Sequence, residues 1–140
     1  MTDIDRVLIS GAGPVGCSAA LYLAQNGIPV TLAEAASELP EDLRASTFPP
    51  PTLDMLDDLG VVDQLIGQGI ICPKWQYRDT REGVVAEWDL GVLENDTRHP
   101  YRVQCEQYKL TRIMVAELEK MDNVDVRFRT QGIEAAQDDQ

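Results

Sequence analysis

Hydrophobic positions near the start of the chain predict a strand followed directly by a helix. Residues 6–10, "RVLIS", form an apolar run without alternation, which is typical of a strand buried on both faces of a parallel sheet. The period then changes, because apolar Val15, Ala19 and Leu23 recur at every fourth position. Gly27 supplies a residue that readily ends a helix. We therefore expect a strand, a turn and a helix of about three turns.

The pattern continues with a second strand and a polar connection. Residues 29–34, "PVTLAE", predict a strand that begins at its proline. Residues 35–52 are polar and rich in proline, so they predict a long surface connection. Thr52 is the expected cap of a short helix that stops at Gly60, and a second helical turn is expected over residues 62–66.

Alternating hydrophobicity marks the second half of the chain. The segments "KWQYRD" and "VVAEWDL" flank the turn "TREG", which predicts an antiparallel hairpin, and "YRVQC" is a candidate third strand for it. From Gln107 onward, apolar residues spaced by three and four predict the clearest helix of the chain. The segment "VDVRFR" then alternates like a half-exposed or edge strand. The predicted fold class is α/β.

Three glycines occupy the predicted turn between the first strand and the first helix. Gly11, Gly13 and Gly16 form the spacing GxGxxG. The first permits a tight turn, the second lets a pyrophosphate approach the backbone, and the third lets the helix pack on the strand. Glu34 ends the second strand, where a carboxylate can accept hydrogen bonds from ribose hydroxyls. A dinucleotide site is expected, although a ligand-free turn is the alternative, and the motif alone does not separate NAD from FAD.

Charge and cysteine content indicate which binding partners and which cellular compartment suit the chain. The chain carries 24 acidic and 12 basic side chains and a formal net charge of −12, which disfavours nucleic acid and anionic membrane surfaces. The three cysteines are far apart, so they predict neither a disulfide framework nor a metal site. No leader-like segment and no apolar run of about 18 residues is found. These features predict a reduced, cytoplasmic protein.

Three segments of the chain resemble the N-terminal part of the FAD-dependent aromatic hydroxylases, the flavoprotein monooxygenases similar to para-hydroxybenzoate and phenol hydroxylases. The segments are "ISGAGPVGCSAALYLAQNGIPVTLAE", "LRASTFPPPTLDMLDDLGV" and "YRVQCEQYKLTRIMVAEL". The last two are more specific than the glycine motif, and they favour FAD over NAD. The resemblance covers nearly all 140 residues.

The resemblance implies two further cofactor contacts. Arg44 matches an arginine that lies along the FAD pyrophosphate and ribityl chain in the family, and a guanidinium offers paired donors to phosphate. Gln107 matches a glutamine that contacts FAD. The alternatives are a solvated loop arginine and an ordinary polar residue at a helix start. The expected cofactor-binding residues are Gly11, Gly13, Pro14, Val15, Gly16, Glu34, Arg44 and Gln107. Ala35 stands where the family often has a basic residue after the acid.

The resemblance also implies an organisation and an activity. We expect a Rossmann-type FAD-binding βαβ half over residues 1–69 and 106–140, and an inserted small antiparallel sheet over residues 70–105. The implied reaction is NAD(P)H-dependent hydroxylation of a small aromatic substrate, and no catalytic residue is assigned. Family members are longer and carry later Asp-Gly and Gly-Asp segments that hold FAD, so the chain resembles the first third of such an enzyme, one expected to be truncated.

Other functions stay open at this point. A non-catalytic nucleotide-binding module, completed by self-association or by a second chain, is the main alternative. An NAD-dependent dehydrogenase is a third possibility. Bound flavin colour with substrate-stimulated NADPH oxidation would favour the enzyme, and nucleotide binding without turnover would favour the module.

A few remaining side chains have a structural and a functional interpretation. For His99, the only histidine, a turn residue before Pro100 is favoured over acid–base catalysis. Packing within the small sheet is favoured over lining a substrate pocket for the aromatic residues Trp75, Tyr77 and Trp88. For Cys17, core packing is favoured over a reactive thiol at the helix start. The acidic pairs Asp57–Asp58 and Asp138–Asp139 are expected to be solvated.

Overall fold

The computed structural model describes residues 6–42 and 44–137 of the 140-residue chain. The pair Asp138–Asp139 lies outside the described residues. The helices are α1 Pro14–Gln25, α2 Pro50–Asp58, α3 Val62–Ile66 and α4 Gln107–Leu118. The strands are β1 Val7–Ser10, β2 Val30–Ala33, β3 Thr47–Phe48, β4 Ile70–Cys72, β5 Lys74–Asp79, β6 Gly83–Asp89, β7 Arg102–Gln104 and β8 Val124–Arg127.

The chain forms two compact units. One contains the described residues up to Asp42 and from Leu110 onward, and the other contains the residues between them. The sequence-based division, with residues 70–105 as an insertion, stays a prediction.

The first unit is built on a parallel sheet of three strands in the order β1-β2-β8. Helix α1 connects β1 to β2, which is the crossover that two neighbouring parallel strands need. All four residues of β2 are buried, because this strand is central among the described strands. The predicted Rossmann-type βαβ half is confirmed, and β8 is the edge strand that its alternation indicated.

Helix α1 has the predicted length but buries a different face. The sequence suggested a stripe of Val15, Ala19 and Leu23, yet the Val15 side chain is 83% exposed. The residues with less than 4% exposure are Cys17, Ala20, Leu21 and Ala24. Small side chains let the helix approach the sheet closely, and this favours the alanine face over the face with larger residues.

The second unit contains two short antiparallel sheets. One has three strands in the order β3-β7-β4, and the other is the predicted hairpin of β5 and β6. The expectation that "YRVQC" could extend the hairpin is wrong, because β7 pairs with β3 and β4 instead. Val103 at the centre of β7 is fully buried, which the three-stranded arrangement explains.

Helices α2 and α3 occur where they were predicted, with one difference. Helix α2 begins at Pro50, and the residue before it, Pro49, takes the capping position without a side-chain hydrogen bond. The predicted cap at Thr52 is therefore wrong, because proline fixes the backbone dihedral that a first helical turn requires. Gly60 ends the helix as expected, with a φ of 74°. The buried side chains Leu53 and Leu56 form the core of this unit with others, among them Phe48, Leu65 and Val103.

Candidate cofactor site

The turn between β1 and α1 places different demands on its three glycines. Gly11 has a φ of 103°, which side-chain-bearing residues rarely adopt, and its N–H donates to the Ala33 carbonyl oxygen at 2.7 Å. A Cβ on Gly16 would lie 2.0 Å from the Gly11 carbonyl oxygen. A Cβ on Gly13 would meet no atom of the described residues within 4 Å. Gly11 and Gly16 are thus required by the fold, and Gly13 leaves space that a ligand can use.

The start of α1 offers backbone N–H groups to that space. Pro14 is the first residue of the helix, and the first helical hydrogen bond runs from the Cys17 N–H to the Gly13 carbonyl oxygen at 2.9 Å. The N–H groups of Val15 and Gly16 precede this bond, so the helix supplies no carbonyl partner for them. They carry the positive partial charge of a helix N-terminus, which suits a phosphate group.

Glu34 connects the end of β2 to the glycine turn. One carboxylate oxygen, Oε2, accepts a hydrogen bond from the Ala12 N–H at 2.8 Å, and the other, Oε1, accepts one from the Ala36 N–H at 2.9 Å. These backbone bonds, from Ala36 first and Ala12 second, hold the pKa of the Glu34 carboxyl below its usual value. The group is therefore an ionised acceptor at neutral pH. Each oxygen keeps a further lone pair with which to accept a hydroxyl.

A segment after β8 lies against the same carboxylate-bearing stretch, which the sequence did not indicate. The Thr130 N–H donates to the Glu34 carbonyl oxygen at 2.9 Å, and the Arg129 N–H donates to the Ala36 carbonyl oxygen at 2.9 Å. A Cβ on Gly132 would lie 3.4 Å from the Ser10 hydroxyl oxygen. Residues 129–132 therefore line the carboxyl ends of β1 and β2, the edge where parallel sheets bind ligands.

Arg44 and Gln107 belong to the second unit, and the glycine turn and Glu34 belong to the first. Within the second unit the structure brings their segments together. The Gln107 N–H donates to the carbonyl oxygen of Ala45, the residue after Arg44, at 2.9 Å. Gln107 is the first residue of α4, as predicted, and the Arg44 side chain is exposed. Their contact with a cofactor stays a prediction.

His99 is buried, with an exposed fraction of 7%, and it is no plain turn residue. Its Nδ1 lies 2.7 Å from Asp54 Oδ1, and the Thr97 hydroxyl donates to Asp54 Oδ2 at 2.6 Å. The hydrogen bonds from Thr97 and His99 lower the pKa of the Asp54 carboxyl. This cluster ties the segment before β7 to α2. No sequence signal marks the pair, because its members are 45 positions apart.

The aromatic residues of the hairpin contact one another and also face outward. Trp75 and Trp88 stack with ring centroids 4.6 Å apart, and the Arg102 guanidinium carbon lies 5.3 Å from the Trp75 ring centroid. About half of each tryptophan remains exposed, 46% and 47%. Tyr77 is more exposed still. Packing accounts for one part of this aromatic surface, and the lining of a substrate pocket stays a prediction.

Cys17 has the structural role that was favoured for it. Its thiol is fully buried and donates to the Ala12 carbonyl oxygen at 3.3 Å. Burial, with a smaller effect of the Glu34 charge, raises the pKa of Cys17 to about 12. The thiol is therefore protonated at neutral pH, and its hydrogen bond to Ala12 stabilises the glycine turn.

Neither a metal centre nor a membrane span is found in the part of the chain that the structure describes. Residues 6–42 and 44–137 contain no group of three or more histidine, cysteine or acidic side chains placed to hold a metal ion. Among the same residues, no helix has the length and apolar character needed to cross a membrane.

Comparison with known proteins identifies relatives for nearly the whole chain. Residues 5–140 match a family model described as an FAD binding domain. The chain is 32% identical over 139 residues to para-nitrophenol 4-monooxygenase of Pseudomonas sp. (strain WBC-3), covering 99% of this chain and 34% of that protein. It is 37% identical over 128 residues to 6-hydroxy-3-succinoylpyridine 3-monooxygenase HspB of Pseudomonas putida (strain DSM 28022 / S16), covering 91% of this chain and 33% of that protein. The chain thus spans about a third of the length of these relatives.

Solved structures of flavin-dependent monooxygenases are also similar to the chain. The crystal structure of p-nitrophenol 4-monooxygenase PnpA from Pseudomonas putida DLL-E4 has a TM-score of 0.90 and 32% identity, covering 96% of this chain and 35% of that one. The flavin-dependent monooxygenase PieE, solved in complex with FAD and substrate, has a TM-score of 0.80 and 24% identity, covering 99% of this chain and 26% of that one. At that identity the second likeness shows the fold alone.

Proposed function

The chain belongs to the FAD binding domain family, and we propose that it is the FAD-binding portion of an NAD(P)H-dependent monooxygenase that hydroxylates a phenolic substrate. One observation carries the cofactor assignment. Open space at Gly13 lies in a turn whose Ala12 N–H is held by the ionised Glu34 carboxylate, so a phosphate position and a ribose acceptor are adjacent. The names of the relatives support the reaction class.

Each proposed contact has a distinct physical role. The turn formed by Gly11, Gly13, Pro14, Val15 and Gly16 receives the pyrophosphate. The N–H groups of Val15 and Gly16 face the ligand and Gly13 leaves space for it, while Gly11 and Pro14 fix the backbone of the turn and of the helix start. The Glu34 carboxylate accepts hydrogen bonds from the ribose hydroxyls of the adenosine half. FAD, when bound, supplies the redox and oxygen chemistry. The described residues bind and orient it.

Arg44 and Gln107 are proposed as additional contacts from the second unit. A guanidinium pairs with two phosphate oxygens at once, and a charge-assisted bond of this kind contributes about 1.5–3 kcal/mol. A side-chain amide can donate and accept at the same time. In a chain with a net charge of −12, a cation at the phosphate offsets the surrounding acidic groups.

The same carboxylate favours FAD over a nucleotide with a 2′-phosphate as the resident ligand. Glu34 is ionised at neutral pH, and a phosphate on the ribose would bring two negative charges together. This repulsion disfavours NADPH as the resident ligand. NADH or NADPH is proposed only as a transient electron donor.

The substrate assignment rests on the substrates that the names of two relatives specify. One acts on para-nitrophenol and one on 6-hydroxy-3-succinoylpyridine, both hydroxylated six-membered rings. A small phenolic ring is the proposed substrate class. The partly exposed aromatic surface of Trp75, Tyr77 and Trp88 is a candidate wall for such a ring.

A non-catalytic nucleotide-binding module that is completed by a second chain or a further segment is the alternative. It is supported by β1, which pairs only with β2 among the described strands and exposes 69% of Leu8. A completing partner would cover this strand. The three cysteines are free, which favours a reducing compartment, and we propose the cytoplasm.

Titration of the chain with FAD and FMN tests the cofactor assignment. FAD should bind more tightly than FMN. Gly13→Val should weaken FAD binding by at least tenfold, since its methyl groups would fill the open space. Equal affinity of the variant and the wild-type chain for FAD would contradict the assignment. NADPH or NADH oxidation stimulated by a phenol, measured with bound FAD, would favour the enzyme over the module.

A further inference from the structure

Arg129 adopts a backbone conformation that is unusual for its residue type. Its φ is 55°, and it is the only non-glycine residue with a positive φ among residues 6–42 and 44–137. Such a conformation costs free energy and persists only where the surrounding structure holds it. Two hydrogen bonds do so here, from the Arg129 N–H to the Ala36 carbonyl oxygen and from the Thr130 N–H to the Glu34 carbonyl oxygen, both at 2.9 Å. The strained residue is therefore attached to the candidate site.

The hydrogen bonds of Glu34 show how the glycine turn, the Glu34 carboxylate and Ala36 follow one another along this edge of the sheet. Its Oε2 accepts from Ala12 within the glycine turn, and its Oε1 accepts from Ala36. The carboxylate thus lies between the phosphate position on one side and Ala36 on the other. Arg129 is bonded to Ala36, so it stands on the side away from the glycine turn.

The Arg129 side chain makes no ion pair or hydrogen bond within the described part of the first unit. Five cationic side chains belong to that part, and four of them have polar partners. Arg6 donates to the Val30 carbonyl oxygen and to the Thr31 hydroxyl, Arg112 pairs with Glu41, Lys120 pairs with Glu117, and Arg127 pairs with Asp125. The exposed Arg129 guanidinium has no such partner among the described residues.

We propose that the Arg129 guanidinium contacts the adenine ring of FAD at the Ala36 side of Glu34. This inference rests on the proposed function. If the pyrophosphate lies at the glycine turn and Glu34 accepts the ribose hydroxyls, the adenine extends beyond Glu34 toward Ala36. A planar guanidinium stacks on an aromatic face, and the adenine ring offers one. The backbone hydrogen bond from Arg129 to Ala36 places a cationic residue beside a stretch whose own residues, Ala35 and Ala36, carry no charge.

Two variants with the same change in net charge test the proposal. Arg129→Gly removes the guanidinium and suits the left-handed backbone, so the fold should be retained or slightly stabilised. Arg127→Gln removes a guanidinium two residues earlier that is paired with Asp125. The dissociation constants of FAD and FMN are measured by flavin fluorescence for both variants and for the wild-type chain, with thermal unfolding as a check of folding.

The expected result is specific to one variant and one ligand. Arg129→Gly should weaken FAD by about two- to fivefold, as for a partly exposed cation on an aromatic face, and should leave FMN unchanged because FMN has no adenine. Arg127→Gln should leave both ligands unchanged. Unaltered FAD affinity in Arg129→Gly, an equal loss in Arg127→Gln, or an equal loss for FMN would overturn the role of Arg129. A wild-type chain that binds no FAD would instead overturn the proposed function, and this inference with it.

Discussion

Alanine substitutions at Gly16 and Gly13 should separate folding from cofactor binding. A Cβ on Gly16 would lie 2.0 Å from the Gly11 carbonyl oxygen, 3.2 Å from the Gly11 carbonyl carbon and 3.3 Å from the Ile9 Cγ2 atom. The first distance is about 1.4 Å short of ordinary contact, and the opposing atom is backbone that cannot rotate away. Overpacking of this kind costs about 1–3 kcal/mol, and the backbone clash places Gly16→Ala at the upper end. The melting temperature should fall by about 10 °C.

Gly13→Ala should behave in the opposite way. Its φ of −76° is open to alanine, and the new methyl group meets no described atom within 4 Å. The loss of a favourable capping glycine, up to about 1 kcal/mol, is offset by the lower entropy of the unfolded chain, about 0.4–1 kcal/mol. Stability should therefore be nearly unchanged. The methyl group fills the space at the proposed phosphate position, so the FAD dissociation constant should rise by about tenfold or more.

Circular dichroism melting curves and fluorescence titration with FAD measure the two effects on the same preparations. The geometry requires a crossed result, with stability lost at Gly16 and affinity lost at Gly13. A Gly16→Ala chain that melts with the wild type would show that the turn relaxes around the methyl group. A Gly13→Ala chain with wild-type FAD affinity would show that the open space is not the phosphate position.

Two further predictions concern buried or bonded polar groups. Glu34→Gln removes a charged acceptor of two backbone N–H groups and should cost about 1–2 kcal/mol at neutral pH. Because the folded pKa of Glu34 is lowered, the stabilisation is present above the unfolded pKa and is lost as the pH falls through the folded one. Urea unfolding should therefore show a larger difference between wild type and variant at pH 7 than at pH 3, and an equal difference at both would contradict this role. His99→Ala removes a buried imidazole and one of the two side-chain hydrogen bonds to Asp54, and Asp54 keeps the bond from Thr97. The loss in urea unfolding should therefore be about 1–2 kcal/mol, and a loss below about 0.5 kcal/mol would contradict this role.

The parts of the fold that follow from local chemistry could be predicted from the sequence. The apolar run before the glycine motif forms β1, and the helix after it ends where Gly27 adopts a φ of 78°. A similar glycine, Gly60, ends α2 with a φ of 74°. In each case the decisive interaction lies within a few residues. Glu34 was predictable for the same reason, because its distance along the chain from the glycine motif is set by one βαβ unit.

Features that depend on distant segments could not be predicted in this way. The pairing of β7 is decided by β3 and β4, and the hairpin that is nearer in sequence to β7 does not take part. His99 meets Asp54 only once α2 and the segment before β7 are packed. Arg129 reaches Ala36 through the parallel pairing of β8 with β2. No periodicity or motif marks these contacts, since each member has an ordinary local sequence.

Strand β1 is the basis of a last prediction, which concerns association. Among the described strands it pairs only with β2, so its other side presents unpaired backbone N–H and carbonyl groups. Leu8 in the same strand is 69% exposed. An exposed, apolar edge strand is a template for pairing with another chain, and natural proteins seldom leave one uncovered. We therefore predict that the 140-residue chain, on its own, associates with itself, binds FAD weakly and shows no hydroxylase turnover.

Leu8→Lys is the matched variant for this prediction, because a charge on an edge strand opposes pairing and the exposed position should tolerate it within about 0.5 kcal/mol. Light scattering after size exclusion should show concentration-dependent dimers or larger species for the wild-type chain, and monomers for the variant with the same far-ultraviolet circular dichroism. Association that persists unchanged in Leu8→Lys would show that β1 is not the contact and that the chains associate through another surface, such as the exposed aromatic side of the hairpin. A wild-type chain that is monomeric at all concentrations, holds stoichiometric FAD and hydroxylates a phenol would contradict the prediction, because β1 would then function without a neighbour on its open side.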